Sequence, residues 1–335
     1  MHIGSHYRLS QFLSWTRRNI IWLSIVAIIP TVLYALFDFK WLAIPWQPVA
    51  LVGTAAAFIA GFRNTQTYNR LWEARKIWGA IINDSRTWGL MSKDFVVDLK
   101  GTNENIKPIH KRLIYRHFAW LTALRFQLRQ PQPWENTNKS YFKRFRNFYS
   151  VPEWETELKD EMKPFLSEQD LQYVLKKKNR ATQILSLQSE DLRKLREKEL
   201  IDTFPYVEME AMLKEFFTHQ GKAERIKKFP YPRQFASINM FFIVLFSFLV
   251  PFGMLDEFAK LGNYGAWLTI PFSVVVGWVF TSLEQVGEST ENPFEGGAND
   301  IPMASLSRTI EIDLREMLEE TDLPKPVEAV NEILM

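Results

Sequence analysis

The stretch "ENPFEGGANDIP", residues 291–302, gathers three carboxylates, Glu291, Glu295 and Asp300, with the amides Asn292 and Asn299 in one short loop. Oxygen-rich loops of this kind hold calcium when roughly six to eight carboxylate and carbonyl oxygens converge. The order of residues is not that of an EF-hand, because no Asp opens the loop with alternating oxygen ligands behind it. Gly296, Gly297 and Ala298 fill the middle, where a cation would want acids. A structural role competes: Asn299 or Asp300 can cap the helix that "IPMASLSRTIEIDLREMLEE" predicts, with Pro302 in its first turn and an apolar stripe of Met303, Leu306, Ile310, Leu314 and Met317. On balance no bound metal is expected.

Other chemistry is sparse. The histidines, His2, His6, His110, His117 and His219, are scattered, and none falls in a metal-binding pair on one helical turn. His110 and His117 share a face at i, i+7, with no carboxylate pair beside them. The chain has no cysteine, which excludes disulfides, thiolate zinc sites and a Cys nucleophile. No nucleophile elbow, phosphate-binding loop or dinucleotide glycine pattern is present. The sequence therefore predicts neither an enzyme nor a cofactor. With 41 basic against 38 acidic residues, it also gives no basic footprint for nucleic acid.

The elements that must position these residues are apolar. Four runs lack charge for about the 17–25 residues that a helix needs to cross a bilayer: 20–37, 41–62, 234–255 and 264–283. Basic residues flank them unequally. Arg8, Arg17 and Arg18 precede the first, Arg63, Arg70, Arg75 and Lys76 follow the second, and Arg225, Lys227, Lys228 and Arg233 precede the third. The two short connectors, 38–40 and 256–265, hold one Lys each. The positive-inside rule then predicts two hairpins in the cell (inner) membrane, with both termini cytoplasmic.

The expected organisation is a terminal segment and hairpin over 1–62, a helical cytoplasmic domain over 63–233, a second hairpin over 234–290, and a cytoplasmic loop and helix over 291–335. The body reads as helical. Leu71, Ile77, Trp78, Ile81 and Ile82 form a 3.6-residue stripe, 109–130 repeats the pattern before Pro131 and Pro133, and 131–165 is an irregular excursion with short helical pieces. Sustained period-two alternation is missing, so an all-α fold is predicted. Within "NDSR", Asp84 and Arg86 are expected to form a packed ion pair.

None of the four runs carries a charged residue or His at its centre, which argues against a proton or ion-coupling relay. A passive pore needs no such group, since apolar constrictions gate by dewetting. Gly53, Ala57 and Gly61, four apart, offer a small-residue packing face. About 100° round the helix, Thr54, Phe58 and Phe62 repeat the spacing and would project toward a pathway, or else toward lipid. One such helix encloses nothing, so a pore requires a ring of subunits.

"GFRNTQTYNRLWEARKIWGAIINDSR" (61–86) and "ENPFEGGANDIPMASLSRTIEIDL" (291–314), each following a membrane run, resemble the bestrophin family of ion channels, in particular its bacterial branch. The likeness covers nearly the whole chain and is weakest over 131–200. It implies a homopentamer around one axial pore, with Thr54, Phe58 and Phe62 at the neck and Thr54 standing where an aliphatic residue is usual. It also implies a cytoplasmic aperture near residues 201–205, for which Phe204 is the candidate, and permeant small monovalent ions. Calcium-activated chloride channels of the family hold calcium after the fourth span; Asn292 and Asp300 match that clasp, whose middle acids are replaced here.

The resemblance thus predicts a channel passing chloride or other small anions, with a monovalent cation channel of the same fold as one alternative and a non-conducting membrane-anchored scaffold or receptor as another. Its partners would be further copies of itself, membrane lipid and the permeant ions. Arg63, one residue beyond the neck, is the candidate selectivity charge, unless Glu73 or another carboxylate neutralises it.

Overall fold

The structure is a computed structural model that describes residues 1–99, 101, 105–262 and 264–335. Among these it is built from α-helices, with no strand beyond isolated bridges joining His2, Val330 and Ile333. In chain order the helices are α1 (Leu9–Leu36), α2 (Trp46–Asp94), α3 (Lys107–Arg129), α4 (Ser140–Arg146), α5 (Pro152–Glu155), α6 (Leu158–Met162), α7 (Glu168–Leu175), α8 (Arg180–Glu197), α9 (Thr203–Lys228), α10 (Arg233–Ala259), α11 (Thr269–Thr290) and α12 (Met303–Met317).

Two compact units divide the chain. One comprises residues 4–70 and 230–292, and the other residues 1–3, 71–229 and 293–335. Helix α2 contributes its residues up to Arg70 to the first and the remainder to the second.

The first unit is apolar. α10 packs along α11, and α1 packs on both. Val49, Ala56 and Ala60 of α2 are buried with Ile243, Phe246 and Val250 of α10. Four helices here are long and apolar enough to cross a membrane. Their ends differ from the charge-free runs for a common reason: a helix is closed by backbone hydrogen bonds and does not stop where apolar residues stop. α1 therefore begins at Leu9 rather than 20 and carries Arg17 and Arg18 as helical residues. α11 runs on to Thr290, and its predicted start at 264 is a 3-10 turn over Gly265–Leu268. Residues 41–45, predicted as part of the second run, lie outside α2.

The second unit is a helical body built round Trp78, Trp88, Trp120 and Phe216, all fully buried. Trp88 meets Phe216 edge-on at 6.0 Å. The predicted stripe of α2 faces this core through Ile77, Trp78 and Ile81. α3 packs against α8, α6 and α12. The excursion 131–165 consists of short helices, as its prolines suggest, and it holds to the body through Arg125 and Arg129, which pair with Glu153.

Candidate functional site

Three arrangements carry the residues singled out by sequence: the outward face of α2, an ion-pair cluster at its Arg63, and the loop after α11.

Thr54, Phe58 and Phe62 stand on the outward face of α2 within the apolar unit. Phe58 is 76% exposed and Phe62 46%, the latter with its ring 6.1 Å from that of Phe235. Thr54 donates its hydroxyl back to the Ala50 carbonyl at 2.9 Å, which leaves its methyl as the outer surface. The opposite face is close-packed. A Cβ on Gly53 would lie 2.5 Å from the Phe246 ring, so only glycine lets the two helices approach as they do.

The expected small-residue face is corrected in its other two members. Ala57 and Gly61 are exposed, and nothing lies within 4 Å of a Cβ placed on Gly61. Four residues turn a helix through about 400°, so a strict spacing of four drifts by about 40° at each step. The packed stripe instead alternates threes and fours, through Gly53, Ala56, Ala60, Arg63 and Thr67, all buried.

Arg63 belongs to that buried stripe, which decides the fate of its charge. It is 3% exposed, with one nitrogen against Glu284 and the other 2.9 Å from Glu291. Glu291 also pairs with Arg233 at 3.4 Å, and Asn239 donates to Glu284. Arg63 is therefore neutralised, and the expectation of a free selectivity charge gives way to its stated alternative. The neutralising acid is not Glu73, which pairs with Arg225 at 2.7 Å in the body unit. Burial selects this solution, because a lone guanidinium in an apolar unit would cost far more than a paired one.

The loop after α11 uses its acids for internal bonds. Asp300 is buried; its Oδ1 accepts from the backbone N–H of Phe294 and Ile301 at 2.8 and 2.7 Å, and its Oδ2 from that of Gly296 at 2.7 Å. Arg129 of α3 completes it, with a nitrogen 2.6 Å from Oδ2 and a second donating to the Ile301 carbonyl. Burial works against the guanidinium charge, yet Asp300 and Glu153 outweigh it and hold Arg129 above its usual range.

The other loop acids are likewise engaged. Glu295 accepts from the Asn136 N–H at 3.0 Å, and Glu291 sits in the Arg63 cluster. Asn292 is buried and donates to Glu291. The sharp turn between Phe294 and Asp300 needs positive φ at Phe294 (73°) and Gly296 (84°). At Gly296 a Cβ would also meet Trp154 of the excursion at 2.5 Å. Tyr149 donates to the Gly296 carbonyl at 2.8 Å, so the region 131–165 wraps this loop.

The predicted cap is corrected: α12 begins behind Pro302, which itself holds the N-cap position with no side-chain cap, and the Asp300 carboxylate before it is already spent on the loop.

Elsewhere, Asp84 and Arg86 do not pair. Two residues apart on a helix they point to nearly opposite sides. Asp84 meets His219 at 2.5 Å and Arg86 meets Asp313 at 2.8 Å. His110 and His117 hold separate posts, His110 on the Val96 carbonyl and His117 on the Ser85 hydroxyl, each at 2.8 Å. Phe204, at the start of α9 beside the N-cap Asp202, is 82% exposed, whereas Ile201 in the same segment is buried.

Residues 10–316 match the family described as Bacterial/Fungal Bestrophin protein. Among similar curated proteins, the voltage-dependent anion channel-forming protein YneE of Escherichia coli K12 is 26% identical over 328 residues, covering 93% of this chain and 94% of that protein. A voltage-dependent anion channel-forming protein of Ralstonia nicotianae is 25% identical over 277 residues, covering 82% of this chain and 78% of its own. Among solved structures, a bacterial bestrophin homolog from Klebsiella pneumoniae superposes with a TM-score of 0.74 at 24% identity, covering 91% of this chain and 98% of that one.

Proposed function

This chain belongs to the bacterial and fungal bestrophin family, and on that footing we propose that it forms an anion-conducting channel in the cell membrane. The pore is enclosed by five copies of the chain, with α2 of each lining the neck through Thr54, Phe58 and Phe62. In this reading the apolar unit forms two hairpins across the bilayer, and the helical body and both termini lie in the cytoplasm. Phe204 rims a second, cytoplasmic aperture.

The observation that carries the proposal is the two-sidedness of α2. One face is locked on α10 by Gly53 against Phe246, while the other leaves Phe58 the more exposed of two ringed positions four residues apart. Apolar rings at such a constriction repel water when the passage is narrow. Relatives named as anion channels support the sign of the ion. With Arg63 neutralised, the neck offers no full charge, and an anion can be met there by the positive edges of the phenyl rings.

Planar-bilayer recording of the purified protein in asymmetric potassium chloride tests this directly. A reversal potential near that of chloride is expected. A reversal potential near that of potassium would replace the proposal with a cation channel, and silent bilayers with correctly assembled protein would leave a scaffold.

A further inference from the structure

The body unit carries an open pocket of about 470 Å³ between the end of α3, the region after it, the start of α8 and the end of α9. Part of its wall is apolar, with the rings of Phe126 and Trp154 beside Leu158. The rest is charged, and the charges do not cancel. Two carboxylates line it. Glu153 is held between Arg125 and Arg129, and Glu224 is engaged by Lys228 together with Gln127, Asn179 and Gln220. Lys227, also lining, is paired with Glu135.

Two cations remain, Lys178 and Arg180. Lys178 is exposed and Arg180 half-buried; neither has a carboxylate or hydrogen-bonding partner among the described residues, and the Arg180 Nε is buried without one. Both sit where α8 begins, next to its N-cap Asn179. A helix start adds partial positive charge at the same end; the Asn179 side chain takes the Thr182 N–H, and the N–H groups of Arg180 and Ala181 before it have no intrahelical partner.

Two unanswered cations at a helix start, facing a cavity with aromatic lining, describe a receptor for an anion with an apolar body. We propose that the cavity binds a phosphate monoester, its phosphate held by Lys178 and Arg180 and its body against Phe126 and Trp154. Phosphate suits this wall because a doubly charged, three-oxygen group can take both side chains and a backbone N–H at once. The volume is of the order of known small-ligand pockets, about 300–1,000 Å³.

Titration calorimetry of the full-length protein in detergent tests this independently of any conduction, so its failure leaves the channel reading untouched. The probes are adenosine monophosphate, dioctanoyl phosphatidic acid, adenosine and inorganic phosphate. Binding of the nucleotide supports the site with a soluble ligand, and binding of the lipid phosphate supports it with a membrane-derived one. In either case adenosine is expected to be silent and inorganic phosphate much weaker. The double variant Lys178→Gln/Arg180→Gln, which removes no native partner, is expected to keep its melting temperature and to lose about tenfold or more in affinity. Lys178→Arg/Arg180→Lys is expected to retain binding. The proposal is overturned if neither ester binds, if the neutral variant binds as well as the parent, or if inorganic phosphate matches the esters.

Discussion

Arg63 of α2 and Glu291, at the end of α11, meet nitrogen to oxygen at 2.9 Å with both side chains only 3% exposed. The pair ties α2 to the end of α11 beside a second contact of the same arginine, with Glu284 of α11, and the two carboxylates convert a position that sequence marks as a charge into a neutral one.

Arg63→Gln leaves Glu284 and Glu291 together with Arg233 as the nearby cation. The expected loss is about 3–5 kcal/mol, the usual consequence of stripping one partner from a buried pair. It should show as a lower melting temperature of the detergent-solubilised protein, with the reversal potential of surviving channels unchanged. A stable variant with a reversal potential shifted toward cations would mean that the charge reaches the permeation path.

Phe58→Ala and Phe62→Ala remove exposed rings and create no cavity in the protomer. Single-channel conductance is expected to rise, more for the double variant, at a stability cost within about 0.5 kcal/mol. Unaltered current in both would place these rings against lipid.

Gly53→Val drives side-chain carbon into the buried Phe246 ring. Overpacking of this kind costs about 1–3 kcal/mol. Gly61→Ala has free space around it and is expected to leave the protomer's melting unchanged. If that variant nevertheless reduces the oligomer on a sizing column, Gly61 lies between subunits.

His117 is enclosed by Trp120 and Phe216, at centroid distances of 5.2 and 4.6 Å. Burial pushes its pKa down to about 3. Unfolding restores a value near 6.5, so between these limits the unfolded chain binds the extra proton. The contribution is complete above about pH 6.5 and drains away as pH falls toward 3. Acid unfolding of the parent should therefore steepen in this window, and His117→Gln should flatten that part of the pH–stability curve; parallel curves would contradict the assignment.

Much of the architecture was legible because it depends on local pattern. Charge-free runs announced the four apolar helices, and the stripe through Ile77, Trp78 and Ile81 announced the core face of α2. What stayed hidden was set by residues far apart in the chain. Arg129 and Asp300 are 171 positions apart, and Arg63 lies 228 from Glu291. No window of sequence contains both members of either pair. The expected cap of α12 failed for a related reason: the Asp300 carboxylate is drawn to loop N–H groups and to Arg129, a partner that no nearby residue announces. The small-residue face failed because each step of four turns about 40° past a full turn, which carries Ala57 and Gly61 off the stripe on which Gly53 packs and toward the side that Thr54, Phe58 and Phe62 share.

The Asp300 carboxylate ends its search for a cation inside its own chain. A dissolved ion comes and goes with its concentration, but a guanidinium carried on α3 is present at fixed and very high effective concentration wherever the body is folded. The turn from Phe294 to Ile301 thereby acquires the lifetime of the fold itself, and rises or falls with global unfolding rather than with the ionic content of the medium.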